Sequence, residues 1–329
     1  HEEYRRRRGA AGLRTPTAPD SARVQWAGRQ VRAERGLDSV SMREAIDSGK
    51  FILTTEVGPP KGHHLEEMVE EAEACRGIVD GVNVTDIQSA VMRSSSLVGC
   101  LKIQQVGMHP IMQMVCRDRN RLALQSELLS AAAMGITDVL CLTGDYTTLG
   151  DHPDAKPVFD IDSVQLIQAA KGLMEGHDMA GNELDGEPPT FCLGCVVNPG
   201  AEPLEPQIMK LHKKIKAGAD FVQTQAVYDP AVLANFMEQA GELGVPVLAG
   251  IVMLKSAGMA NYMNKFVAGV SVPKDLISRM KETENKVRTS IEITVELVNG
   301  FKSLCQGIHM MPLGWNKHVA TVLKECGLA

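Results

Sequence analysis

Aromatic residues are few in this chain: two Trp, four Tyr and seven Phe, or 4% of 329 residues. A core must therefore come from Val, Leu, Ile, Ala and the 17 methionines. No apolar run reaches the length of a membrane span, and the first residues hold no apolar segment of the kind a secretory signal requires. Walker loops, nucleophile elbows and zinc-protease signatures are missing too, which removes the phosphate-loop, serine-hydrolase and metalloprotease readings. The eight cysteines (75, 100, 116, 141, 192, 195, 305 and 326) do not have the look of a disulfide framework. Most fall inside apolar segments, so buried reduced thiols and a cytoplasmic location are expected. Cys192-Leu-Gly-Cys195 has the spacing of a redox or zinc pair. Positions i and i+3 of a strand face opposite sides, however, and no second pair with ligand spacing lies nearby, so no metal is expected.

The net charge of −6 is unevenly spread. Nine arginines against four acids give residues 1–37 a charge of +5, which leaves −11 for the rest. An acidic body argues against nucleic acid as a partner. Residues 1–37 show no apolar periodicity and are expected to form a disordered, arginine-rich extension, with Met42 as the expected native start. The run of four arginines at 5–8 has contact with a polyanion as its alternative reading.

From residue 38 onward the pattern turns regular: a short apolar run, a loop, an amphipathic stretch, repeated. Strands are predicted at 51–58, 81–86, 109–116, 137–144, 190–197, 220–227, 246–253 and 307–313. Helices are predicted near 63–76, 94–106, 120–134, 160–175, 205–217, 230–243, 257–268 and 316–325, with further helix within 273–304. Glycines at 107, 135, 176, 218, 244 and 269 follow helical runs, where a left-handed cap is wanted. Eight such units without a compositional break predict a single (β/α)8 TIM barrel over 38–329. A doubly wound open sheet is the alternative, but it calls for a glycine-rich dinucleotide turn after the first strand. Here that turn reads Gly58-Pro-Pro-Lys-Gly62.

In a barrel the site gathers at the carboxyl ends of the strands. Those ends carry Glu56, Asp86, Gln113, Asp145, Asn198, Gln225 with Tyr228, and His309 with Trp315. Polar groups in such apolar surroundings need a partner or a ligand. Glu56 sits among Phe, Ile, Leu, Thr and Val, and a carboxyl in a half-apolar pocket holds its proton more tightly and can donate it near neutrality. A salt-bridged carboxylate at the barrel mouth is the plainer reading. Asp145 ends the apolar run Val139-Leu-Cys-Leu-Thr143-Gly144 and opens a long polar loop. By itself it could be a turn residue; with Glu56 on the same rim, the two carboxyls suggest one acid and one fixed anion. The Gln225 amide suits the mixed donor and acceptor edge of a heterocycle, or else a supporting role.

Three segments together carry a family resemblance: Thr54-Thr-Glu56-Val-Gly-Pro-Pro60, Leu142-Thr-Gly-Asp145 and Phe221-Val-Gln-Thr-Gln225-Ala-Val-Tyr-Asp229. They resemble, in order, the signature segments of methylenetetrahydrofolate reductases, and the likeness runs from residue 42 to 329. Cys116-Arg-Asp-Arg-Asn-Arg121 and Lys156-Pro-Val-Phe-Asp-Ile-Asp-Ser-Val164 are closest to the short form of acetogens and other anaerobes. The resemblance implies a flavin-containing barrel that reduces 5,10-methylenetetrahydrofolate to 5-methyltetrahydrofolate, or runs the reverse. It implies Glu56 as the acid that protonates N10 and helps open the imidazolidine ring. Asp145 would be the carboxylate near the flavin pyrimidine edge and the 5-iminium form of the folate, and Gln225 the amide on the pterin, with Tyr228 beside the substrate. Gln113, Thr143, Gly144, Phe159, Asn198, Lys213 and Lys214 fall where the family's flavin contacts lie.

The chain also departs from the family. The bacterial form has histidine where this sequence has Gln113 and Asn198, arginine at Thr143 and an acid at Gln207. Several of those positions serve the adenosine diphosphate half of FAD, so the flavin is FAD or FMN. The aromatic that stacks on nicotinamide or folate has no gapless match, although Tyr262 is near. The electron donor implied is NAD(P)H, or a partner subunit carrying zinc or iron–sulfur centres; an oligomer is also expected. Two rivals remain at this level: a pterin-binding barrel that moves a methyl group to a corrinoid protein, and a non-catalytic subunit of a redox complex. Neither needs flavin, so an absorbance spectrum separates them from the reductase.

Overall fold

The computed structural model describes residues 41–329, and the expected arginine-rich extension over 1–37 lies outside the described residues. Short aliphatic runs form eight strands: β1 (Ile52–Val57), β2 (Gly81–Val84), β3 (Pro110–Val115), β4 (Asp138–Leu142), β5 (Cys192–Val197), β6 (Phe221–Ala226), β7 (Val247–Val252) and β8 (Gly307–Met311). They pair in chain order, all parallel, and β8 closes on β1. The (β/α)8 barrel is thus the fold.

A short helix, α1 (Met42–Asp47), precedes β1. Around the barrel run α2 (Glu66–Glu73), α3 (Ser96–Gln105), α4 (Arg121–Ala133), α5 (Ser163–Met174), α6 (Glu205–Ala217), α7 (Pro230–Ala240) and α8 (Ala257–Phe266). Next come α9 (Lys274–Glu282), α10 (Lys286–Phe301) and, after β8, α11 (Val319–Glu325). The predicted helices are present with trimmed ends, and the six glycines expected to follow them all have positive φ. Among the described residues no helix is long and apolar enough to cross a membrane.

The sequence reading gave α1 no element. Its start is fixed by a capping box between Ser41 and Glu44. Its Met42 and Ala45 are fully buried and join Ile52, Ile111, Leu140, Cys192, Phe221 and Leu248 in one cluster inside the lower barrel. Helix α1 therefore plugs the amino-terminal end of the barrel. The Met42 N–H donates to Asp138 Oδ2 at 3.2 Å, and His109 meets the same carboxylate. Gly194 is needed here because a Cβ would fall 2.3 Å from the Phe221 ring, which fills the space instead. Alternate residues of each strand face outward and pack under the helices in a larger cluster. Cys192 belongs to the inner cluster and Cys195 to the outer one, so the two sulfurs lie on opposite faces. Burial pushes the Cys195 thiol up to about 11 and the Cys116 thiol to about 12.

Candidate active site

Above the apolar plug the barrel interior turns polar. Asn83 of β2 and Gln223 of β6 exchange amide hydrogen bonds across the barrel, at 2.9 and 3.2 Å. Gln223 Nε2 also reaches Thr54 Oγ1 at 3.4 Å, and that hydroxyl lies 2.9 Å from His309 Nδ1. All four side chains are buried. A hydrogen-bonded layer is the form in which buried polar groups are tolerated, and here it spans β1, β2, β6 and β8.

Glu56 stands two residues beyond Thr54 on the same face of β1 and ends this ladder. Gln88 Nε2 donates to its Oε1 at 3.2 Å and Gln113 Nε2 donates to its Oε2 at 3.1 Å. The other ring nitrogen of His309 is 3.8 Å from Oε2. Asn316, after β8, donates to the Glu56 main-chain carbonyl at 3.0 Å. The carboxyl is nearly buried, takes an amide donor on each oxygen and faces an imidazole, so its orientation is set from the loop after β2, from β3 and from β8.

Asp145 lies at the end of β4 with its side chain exposed. Its main-chain carbonyl accepts from Arg117 Nη1 at 3.1 Å. Gly144 before it has φ +93°, and a Cβ there would crowd Val115 and Arg117 at 3.1 and 3.2 Å. Thr143 Oγ1 donates to Ser163 Oγ at 3.1 Å, which ties β4 to the start of α5. Phe159, at φ +40°, meets Tyr146 edge to face at 5.5 Å, and both belong to the loop between β4 and α5. Asp86, at the end of β2, pairs with Arg119 and accepts the Val115 N–H at 2.9 Å. Burial raises its carboxyl above the ordinary range despite that partner.

The remaining candidate positions differ in their surroundings. Gln225 is half-buried on the inner face of β6, with its side-chain carbonyl accepting the Ala226 N–H at 3.0 Å. Asn198 donates to the Ala268 carbonyl at 2.8 Å and accepts from Gly200 N–H, joining two rim loops. Lys213 is exposed on α6. Lys214 is buried, donates to the Val196 carbonyl at 2.6 Å, and its burial lowers its pKa. Tyr228 is buried with its hydroxyl on the Val252 carbonyl at 2.7 Å, and burial pushes the phenol up.

Glu56 and Gln113 are therefore brought into contact, and Thr143, Gly144 and Asp145 are contiguous at one strand end. Among the described residues no hydrogen bond joins any two of Glu56, Asp145 and Gln225, although all three stand at the carboxyl ends of their strands. Sequence reasoning missed Thr54, Asn83, Gln88, Arg117 and Gln223. Asn83 and Gln223 could have been found by the argument applied to Glu56, a polar residue inside an apolar strand. Gln88 lies in an aperiodic loop and gave no such signal.

A family profile described as methylenetetrahydrofolate reductase matches residues 41–327. "Methylenetetrahydrofolate reductase 2" of Schizosaccharomyces pombe is 23% identical over 66% of this chain and 35% of its own length. "Probable methylenetetrahydrofolate reductase (NADH)" of Oryza sativa subsp. japonica is 24% identical over 87% of this chain and 50% of its own. The chain thus spans between about a third and a half of the length of these relatives. Among solved structures, an uncharacterized Clostridium thermocellum protein that binds two copies of 5-methyl-5,6,7,8-tetrahydrofolic acid superposes with a TM-score of 0.55. At 15% identity over 85% of this chain and 93% of that one, the likeness shows a shared fold. With its family profile covering the whole barrel, this chain belongs to the methylenetetrahydrofolate reductase family.

Proposed function

We propose that residues 38–329 are the catalytic barrel of a flavin-dependent enzyme that interconverts 5,10-methylenetetrahydrofolate and 5-methyltetrahydrofolate. The observation that carries this reading is the Glu56 carboxyl at the barrel mouth, held by two amides and faced by His309. Family membership supplies the substrate class, and the name of the Oryza sativa relative as an NADH enzyme supports NAD(P)H as electron donor.

The residues fit a flavin. Thr85, 1% exposed and two residues beyond Asn83, has a buried hydroxyl with no hydrogen-bond partner among the described residues. Such an orphan costs about 1–3 kcal/mol and suits a polar ligand atom. Gly144 lets the backbone come close beside the exposed Asp145 carboxylate, and Thr143 and the Phe159 loop flank it. Bound flavin, FAD or FMN, supplies hydride transfer. The protein's own part is proton and charge management. Glu56 gives the ring-opening proton to N10, the exposed Asp145 carboxylate offsets positive charge on the substrate, and the Gln225 amide orients the pterin edge.

The test has two stages. Purified protein should show the near-ultraviolet and blue bands of oxidised flavin; a colourless preparation that does not take up flavin points instead to the corrinoid or scaffold readings. Glu56→Gln should then retain flavin and lose about 10²–10⁴-fold in folate-dependent oxidation of the reduced enzyme. Turnover at the parental rate would remove Glu56 as the acid.

A further inference from the structure

We infer that Gln88 is a positioning residue for the Glu56 carboxyl, delivered to it by a strained loop that one buried arginine clamps. Directly after β2, Ile87, Ser89 and Ala90 have φ values of 45°, 56° and 58°. Three non-glycine residues in left-handed backbone within four positions go against local preference and persist only where the surroundings enforce them. The surroundings do so from three sides. Arg117, 1% exposed, donates through Nη2 to the Ile87 carbonyl at 3.1 Å and through Nη1 to the Asp145 carbonyl at 3.1 Å, while Asp118 takes its remaining face. Gly150 of the β4 loop presses on the Ala90 carbonyl, where a Cβ would fall 1.8 Å away. Asp151 accepts the Met92 N–H at 3.0 Å and pairs with Lys61.

The loop so held presents one side chain to the site, the Gln88 amide on Glu56 Oε1. The other groups facing that residue are Gln113 from β3 on Oε2, His309 from β8 at 3.8 Å, and Asn316 on the main chain. An N–H donated to a carboxylate favours the ionised form of such a group over the neutral one, and Gln88 is one of the two side-chain amide donors on the Glu56 oxygens. Through Arg117 the same loop is fixed relative to Asp145. The backbone around one carboxylate and the hydrogen bond to the other thus share a clamp.

The catalytic meaning of this contact rests on the proposed acid role of Glu56; the contact itself can be tested without substrate. Carboxyl 13C NMR of glutamate-labelled protein, with the Glu56 signal assigned by its loss in Glu56→Gln, gives the titration midpoint. Gln88→Met keeps the side-chain shape and removes the donor, and should move the midpoint upward by about half a unit to one unit. Gln88→Glu replaces the donor with a like charge and should move it further. The ordering is to be repeated in His309→Asn, so that the ring's own titration is not mistaken for that of Glu56. Gln88→Glu keeps the inference falsifiable if the Met variant does not fold. A midpoint unmoved in a folded variant overturns the positioning role. A midpoint that moves as stated supports it, even if the parent fails to oxidise its reduced flavin with methylenetetrahydrofolate; that failure removes the reductase reading alone. Where the parent is active, the alkaline limb of the folate half-reaction should move upward with the NMR midpoint.

Discussion

Asn83 and Gln223 satisfy one another inside the barrel, and each would be an uncompensated polar group without the other. Gln223→Met or Asn83→Leu by itself should lower stability in urea by about 1–3 kcal/mol. The double variant should lose less than the sum, because no orphan amide remains. Strict additivity would show that the pair is not coupled. Tyr228 belongs with these residues energetically. Its hydroxyl is spent on the Val252 carbonyl, so Tyr228→Phe should lower stability by about 1–2 kcal/mol, read from the shift in urea midpoint. Unchanged stability, with a raised KM for folate, would return Tyr228 to the substrate-contact role that the resemblance implies. At this scale the sequence marked Glu56 and Gln113 because they interrupt apolar strands. It could not say that they touch, since they are 57 residues apart and meet only when β1 and β3 are brought into one barrel.

Among elements, the entry to α5 shows how local sequence and long-range pairing divide the work. Asp162 is the N-cap, with Gln165 completing a capping box, a signal legible in four consecutive residues. The neighbouring Asp160 is fixed from elsewhere. The Arg121 guanidinium at the start of α4 takes both its oxygens at 2.8 and 2.9 Å and holds its carboxyl down to about 2. A carboxyl lowered in the folded state contributes stability above its ordinary range, and loses it as pH falls toward the lowered value. Arg121→Gln should therefore lower the thermal midpoint near pH 6, by an amount limited by the exposure of the pair, and have little effect near pH 2. Equal losses at both values would mean that the pairing does not act through ionised Asp160. Helix α1 is the counter-example to local legibility. Its six residues are too short to show a period, and what makes them a plug is the open barrel end they enter.

For the molecule as a whole, α1 also marks where the barrel is closed. Met42 is fully buried in the lower cluster, so Met42→Ala should cost about 2–5 kcal/mol in chemical denaturation, with a cavity left between Ile52 and Ile111. A cost near zero would show that the plug is dispensable. The chain's amino-acid order determined the eight strand-and-helix units, their boundaries to within a few residues, and the rim positions of Glu56, Asp145 and Gln225. Periodicity and glycine punctuation are local properties, and they survive in a one-dimensional reading. Only tertiary structure decided which polar groups meet. The Asn83–Gln223–Thr54–His309 ladder, the two amides on Glu56, the Arg117 clamp and the burial of Lys214 and Tyr228 all depend on barrel closure and strand register. Those set distances between residues that the chain keeps tens to hundreds of positions apart.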